Sequence, residues 1–258
     1  MLIAWNNLAD DATLTASSEQ ASAPGANVQI EHVSRKWYTV AGVTAATLLF
    51  DMGSSVACAI LAVLGTNLTT AATFRLRGSD SDATGVTGEK YDSGTLNASS
   101  YGVKTGYGNV YLSFTSAAAR YWLLNLSDAS VPLLQVGRVF LGPKWTPTLN
   151  QGFGWSVTPQ DESKVTRSYG GQAFVDERPQ RRIIQFTLNF ISEAEMYANA
   201  FAMARASGVA RDVLAVNDIA ASGYLAEQAV YGLCTASEPL VHENYGAFRQ
   251  KFSIEERL

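Results

Sequence analysis

The 258-residue sequence predicts a mainly β protein of two domains, the second flanked by one α-helix. Three observations lead there. Charged residues make up 16% of the chain against 47% hydrophobic, and 21 glycines are spread through Ser/Thr/Asn-rich connections, a composition of strands and turns and not of Glu/Lys-rich helix bundles. Period-two alternation recurs, as in TFRLR, where Phe74 and Leu76 alternate with Arg75 and Arg77. A stretch rich in Pro and Gly, Pro143 to Gln160, reads as a linker between halves of different composition and sets the domains at 1–145 and 146–258.

The most apolar stretch is LLFDMGSSVACAILAVLGTN, Leu48 to Asn67. A membrane-spanning helix needs roughly 20 uninterrupted apolar residues, and Asp51, Gly53, Ser54 and Ser55 break this one. Two consecutive buried strands, Thr47 to Asp51 and Val56 to Leu64, joined by a Met-Gly-Ser-Ser turn, fit better, and no membrane insertion is expected. The TFRLR strand ends at Gly78. Ser79 to Asn109 is too poor in spaced apolar residues for a helix and predicts long loops or an irregular hairpin. VYLSF (Val110 to Phe114), RYWLLNLSD (Arg120 to Asp128) and VGRVFLG (Val136 to Gly142) supply three further strands.

In the second half, RRIIQFTLNF places Ile184, Phe186, Leu188 and Phe190 on one face of a strand. SEAEMYANAFAMARASG then carries Ser192 as N-cap, Glu195 as its reciprocal capping partner and Gly208 past the far end, with Met196, Tyr197, Ala200, Phe201 and Ala204 as an apolar stripe. DVLAVND, QAVYGLC and YGAFRQKFSIEER add three strands, the last with Phe248, Phe252 and Ile254 on one face and Gln250 between them.

The formal net charge of -4 argues against a broad basic face for nucleic acid. The basic cluster RPQRR suits a hairpin tip or a subunit contact, which makes Arg178, Arg181 and Arg182 candidate subunit contacts. Cys58 and Cys234 lie in apolar runs without zinc or disulfide spacing and read as buried small hydrophobes. The opening MLIAWNNLADDATL has no basic n-region and is not expected to be a secretory signal. The sequons at Asn67, Asn97 and Asn125 would matter only in a secreted eukaryotic protein.

His32 and His242 sit in polar, turn-like settings, and no nucleophile elbow, zincin or phosphate-loop motif occurs. Glycoside hydrolysis needs only two carboxylates, which Glu31, Asp51, Asp92, Asp176 and Glu177 leave open. Asp10, Asp11, Asp80 and Asp82 lack the spacing of a dedicated calcium loop, so neither metal nor cofactor is expected.

Two resemblances follow from particular residues. Arg35 to Trp37, then LLFDMGSSVACAILAVLGTN, FRLRGSDSD, ARYWLLNL and LQVGRVFLG stand in the order and rough spacing of a discoidin-like, galactose-binding-like jelly roll, over most of the first 142 residues. Arg138 stands where that family often has an acidic residue, and the paired terminal cysteines of its secreted members are absent. The resemblance implies loops at one end that bind glycans or lipid headgroups, and on it Trp37, Tyr38, Tyr101 and Tyr107 are candidate glycan contacts.

From about 150 to 258, the Ser-x-Gly-Gly hairpin at Ser168, the basic strand start at Arg181, the Ser-Glu-x-Glu helix, the Val-Leu-x-Val and Val-Tyr-Gly strands and the closing Ile-Glu-Glu strand resemble the tail-tube-like domain of distal tail and minor tail proteins of tailed bacteriophages. This implies a structural component of the virion tail tip or baseplate, made in the host cytoplasm. Its tube-like domain would form a homo-oligomeric ring, six copies by the resemblance, contacting the tail tube and other tail-tip proteins, while the sandwich projects outward. The expected protein is not an enzyme. Its alternative role is a carbohydrate-binding module for host-surface glycans, and a third is a polysaccharide hydrolase.

Overall fold

The computed structural model describes residues 1–220, 223–237, 239–244 and 246–258. Strands dominate, and the chain forms two compact units, one of residues 2–145 with 216–229, the other of residue 1, 146–215 and 230–258.

The first unit is a jelly-roll β-sandwich built on β1 (Thr13–Ala16), β2 (Ala45–Leu64), β3 (Thr73–Ser79), β4 (Val110–Ser127) and β5 (Arg138–Gly142). Its sheet runs β5-β2-β4-β3, with β1 on β2 and the short strands Tyr91–Asp92 and Leu96–Asn97 on β3. The expected Thr47–Asp51 and Val56–Leu64 pair is one 20-residue strand, and the expected Val110–Phe114 and Arg120–Asp128 strands are likewise one.

At about 3.3 Å per residue a strand as long as β2 would overrun the unit if it stayed straight. It bends where its register against β4 shifts, between Asp51 and Val56 and again between Cys58 and Ile60. Gly53, at φ 73°, permits the first bend. Before the bend β2 pairs β1; after it, β5. The two layers bury Leu48, Phe50, Leu61, Val63, Trp122, Leu124 and Val139 in one core.

Trp122 is fully buried, its indole N–H donating to the Ala119 carbonyl at 3.0 Å, with Tyr91 and Phe114 stacked at 4.4 Å beside it. Arg138, the departure from the family pattern, is buried at 2% exposure, where its guanidinium grips the Asp10 carboxylate at 2.6 and 2.7 Å. That bidentate pair supplies the negative partner a buried cation requires.

In the second unit β6 (Ser156–Gln160), β7 (Lys164–Arg167), β8 (Ala173–Asp176), β9 (Arg181–Ser192), β10 (Asp212–Val216), β11 (Ala229–Ser237), β12 (Val241–Asn244) and β13 (Ala247–Glu256) follow in order. The sheet order is β10-β11-β13-β9-β6, with β12 on β13. The linker expected to run to Gln160 ends earlier, because residues from Ser156 on pair with Arg181–Gln185; Pro159 is tolerated there because β6 is an edge strand. Of the expected YGAFRQKFSIEER strand, Tyr245 lies outside the described residues. Gln250, Phe252 and Ile254 are buried on its inner face.

Two further expectations are corrected. Phe190 does not share the inner face of β9: a bulge between Leu188 and Ile191 turns it to φ 55°, 58% exposed, and Ile191 is buried instead. The helical segment Glu193 to Ser207 starts on the Ser192 hydroxyl, which accepts from the Glu195 N–H, while the Glu195 carboxylate accepts from the Thr148 N–H. Its buried stripe is Met196, Ala200, Met203 and Ser207, with a π-helical stretch over Met196–Phe201; Tyr197 and Phe201 point outward and meet edge-on at 6.2 Å.

Candidate functional site

The four tyrosine and tryptophan candidates do not form a platform. Trp37 is fully buried, its indole N–H donating to the Ser18 carbonyl at 3.0 Å, so no sugar can stack on it. Tyr38 is half-buried in the short strand Trp37–Tyr38, and Tyr101 packs edge-on against Phe74 at 5.3 Å. Tyr107 lines a cleft of about 320 Å³ between the Thr66–Thr70 turn that follows β2 and the Lys104–Gly108 turn that precedes β4.

Reciprocal backbone hydrogen bonds of 2.8 Å between Lys104 and Tyr107 close the second turn. Lys104 Nζ reaches the Glu227 carboxylate at 2.7 Å and lies 5.4 Å from the Tyr224 ring centre. A small cleft with one aromatic wall has room for one or two sugar rings.

The basic cluster is largely consumed within its own unit. Arg181 is ion-paired with Glu162 and Glu255, and Arg182 with Glu256, their side chains 28% and 12% exposed. These pairs pin the start of β9 to β13, so within the chain Arg181 and Arg182 act as structural clasps. Arg178 is the exposed member, paired with Asp176 at 3.3 Å.

Among the carboxylates that left a hydrolase open, Asp51 is gripped by Arg120 at 2.8 and 3.0 Å and Asp92 by Arg75 at 2.8 Å, and both are held below the usual carboxylate range by those hydrogen bonds. A general acid needs the opposite shift. His242 stacks on Phe248 at 4.7 Å. Both thiols are buried, and burial pushes Cys58 up to about 12. Among the described residues no group of three or more His, Cys, Asp or Glu is arranged to hold a metal ion, and no helix is long and apolar enough to cross a membrane.

The hairpin that the sequence places at Ser168 is formed by β7 and β8; its complete exposure is what sequence reasoning missed. Every residue from Lys164 to Gln180 is exposed. The hairpin pairs only with itself, Val165 opposite Val175 and Thr166 opposite Phe174, and is closed by reciprocal contacts of Ser168 with Gly171 and Gln172 at 2.9 Å. Val165 is 58% exposed, Phe174 55%, Val175 62%, and Tyr169 stands fully out at the tip. Opposed pairs share a face, so Val165 and Val175 lie on one side with Arg167 and Ala173, and Phe174 lies on the other with Thr166, Lys164 and Asp176. The signal was present in KVTR and AFVD, two short alternating runs flanking a Tyr-Gly-Gly turn.

No family model matches the chain, and no curated protein matches it. Solved structures similar to it cover about half the chain. Chitosan-binding module 1 of a chitosanase/glucanase from Paenibacillus sp. IK-5 is 20% identical over 54% of this chain and 99% of that one, with a TM-score of 0.41. A CBM32 module from Clostridium perfringens, in complex with GalNAc-β-1,3-galactose, is 14% identical over 54% and 100%, at 0.42. A Ruminococcus gnavus GH29 fucosidase, in complex with fucose, is 11% identical over 54% and 27%, at 0.44. The jelly roll itself is read from the strand order and the core.

Proposed function

We propose that the protein is a self-assembling structural subunit. Its C-terminal unit joins copies into a closed ring, and its discoidin-like sandwich is carried by that ring. The observation that supports this best is the β7/β8 hairpin. A two-stranded ribbon is marginal in water by itself, and one that shows Val165, Tyr169, Phe174 and Val175 to solvent with both strand edges unpaired calls for a partner surface. A contact between a projecting element and a different patch on an identical chain is heterologous, and such contacts generate rings when the rotation closes.

The resemblance of residues 150 to 258 to distal tail proteins gives the ring its setting, a bacteriophage tail tip, with the virion as location and the tail tube as neighbour. Negative-stain images and sedimentation velocity of the intact chain test this. Rings and a discrete multiple of the monomer mass are expected, and a monomer at all concentrations contradicts it.

A second reading, recognition of a host-surface glycan by the sandwich, is favoured by the loop cleft beside Tyr107. The three solved chains named above are described by glycan binding or a bound sugar, which bears on this reading and not on the ring. The two readings are compatible, since they use different units. A glycan array probed with the intact protein tests the second: saturable binding lost in Tyr107→Ala supports it, and silence across the array removes it.

A further inference from the structure

The pairs β6/β9 and β7/β8 are two stretches of one long antiparallel ribbon. Gln160 stands opposite Arg181 at the end of the first, and Lys164 opposite Asp176 at the start of the second. Had the register run on, Lys164 would face Glu177; residues 161–163 instead face residues 177–180, three against four, and the extra residue interrupts the ladder as a bulge does. Pro179, on the longer side of the gap, has no N–H to give. Among the described residues no backbone-to-backbone hydrogen bond crosses the gap.

Side chains cross it instead. The Gln180 amide donates to the Asp161 carboxylate at 3.2 Å, and that carboxylate also accepts from the Ser163 N–H at 2.8 Å. The Ser163 hydroxyl accepts from the Arg178 N–H at 2.9 Å. Arg181 reaches both ways, with one guanidinium nitrogen on Glu162 in the gap and another on Glu255 of β13. Apart from the Pro179 ring the gap holds only polar side chains, and all of its residues but Ser163 are exposed. On the sheet side the base is fixed, because Arg182 is paired with Glu256.

We infer that the gap is a latched elbow: β7/β8 is a rigid arm that pivots at residues 161–163 and 177–180, and Asp161 together with the Glu162–Arg181–Glu255 bridge holds it in one orientation until the latch opens. The arm carries its own ladder and its own tip turn, so a swing breaks none of its internal hydrogen bonds. Solvent-facing ion pairs are individually weak and are screened by salt, so a latch made of them opens without unfolding the sheet. The elbow belongs to the monomer and does not depend on the ring. In an assembly it lets the exposed hairpin meet a partner surface without bending β9.

The test places spin labels on the full-length chain at Gln172→Cys, at the tip of the arm, and Lys251→Cys, exposed on β13, and reads the distribution of distances between them. A Phe174→Ala background keeps association through the hairpin weak, and the native Cys58 and Cys234 are buried. Adding Asp161→Ala and Glu162→Gln is expected to widen the distribution to about twice its breadth, while a reference pair at Thr158→Cys and Lys251→Cys, both on the sheet, is unchanged. With the latch intact, raising the salt from about 0.1 M to about 1 M widens the tip distribution in the same direction. Equal breadth with the latch present and removed overturns the elbow. Faster amide exchange within β7/β8 in the latch variant overturns it too, since the arm then melts and does not pivot.

Discussion

The two units treat their apolar residues in opposite ways. The sandwich encloses nearly all of them: among the described residues only Val40, Val86 and Tyr224 are large hydrophobics left exposed there. The smaller C-terminal unit leaves out Phe153, Val165, Tyr169, Phe174, Val175, Phe190, Tyr197 and Phe201, among others. Two units built alike from antiparallel strands thus give one complete in itself and one that presents apolar surface as if an interface had been opened. Scattered exposed hydrophobics are ordinary, but Val165, Tyr169, Phe174 and Val175 are gathered on one ribbon that pairs only with itself.

If that contrast holds, substitutions in the sandwich act on folding and those on the outer face of the second unit act on association. The largest effect on folding is expected for Trp122→Ala. It empties a fully buried site ringed by Tyr91 and Phe114 and should cost about 3–5 kcal/mol, read from the denaturant midpoint. Arg182→Ala follows, at about 2 kcal/mol, since it leaves the Glu256 carboxylate, 11% exposed, without its cation.

Phe174→Ala should change folding stability by less than about 0.5 kcal/mol while weakening self-association at least about tenfold, measured by sedimentation equilibrium. An equal loss of folding stability would show that the hairpin is covered by its own chain. Phe190→Gly sharpens the contrast further. It relieves a bulky side chain held at φ 55° and is expected to leave the monomer unchanged or up to about 1 kcal/mol more stable.

The smallest expected effect concerns pH and is confined to the sandwich. The Glu89 carboxylate accepts hydrogen bonds from the Ser79, Ser81 and Thr87 hydroxyls and from the Asp80 and Ser81 N–H groups, which hold it well below its ordinary 4.5. The hydroxyl and N–H of Thr84 and the N–H of Thr87 hold Asp82 down at about 2. Depressed carboxylates stabilise the folded loop above their unfolded values, and that contribution is lost as pH falls through the folded ones. Amide exchange at Ser81, Thr84 and Thr87 should therefore stay slow down to about pH 4 and quicken towards pH 2, while the association face is unmoved. Quickening already at pH 5 contradicts these bonds.

Much of this was legible in the sequence, and the failures share a cause. Alternation in TFRLR and RRIIQFTLNF located strands because one face of each is buried, and Ser192 with Gly208 bracketed the helical segment. Local pattern could not show that Asp51–Val56 is a bend within one strand, because the bend is set by pairing with residues about 70 positions away, Tyr121 and Ala119. Nor could it show that Arg181 and Arg182 are neutralised by Glu255 and Glu256 from the far end of the chain. The hairpin at Ser168 was legible from its Gly-Gly turn, but its exposure was not, because alternating runs of four residues do not show which face is covered.

The measurement that bears most directly on the account is sedimentation velocity of the intact chain beside a variant in which Lys164–Asp176 is replaced by a short Gly-Ser turn. The account predicts a discrete oligomer for the former and a folded monomer with an unchanged melting temperature for the latter. Identical masses for the two proteins would contradict it.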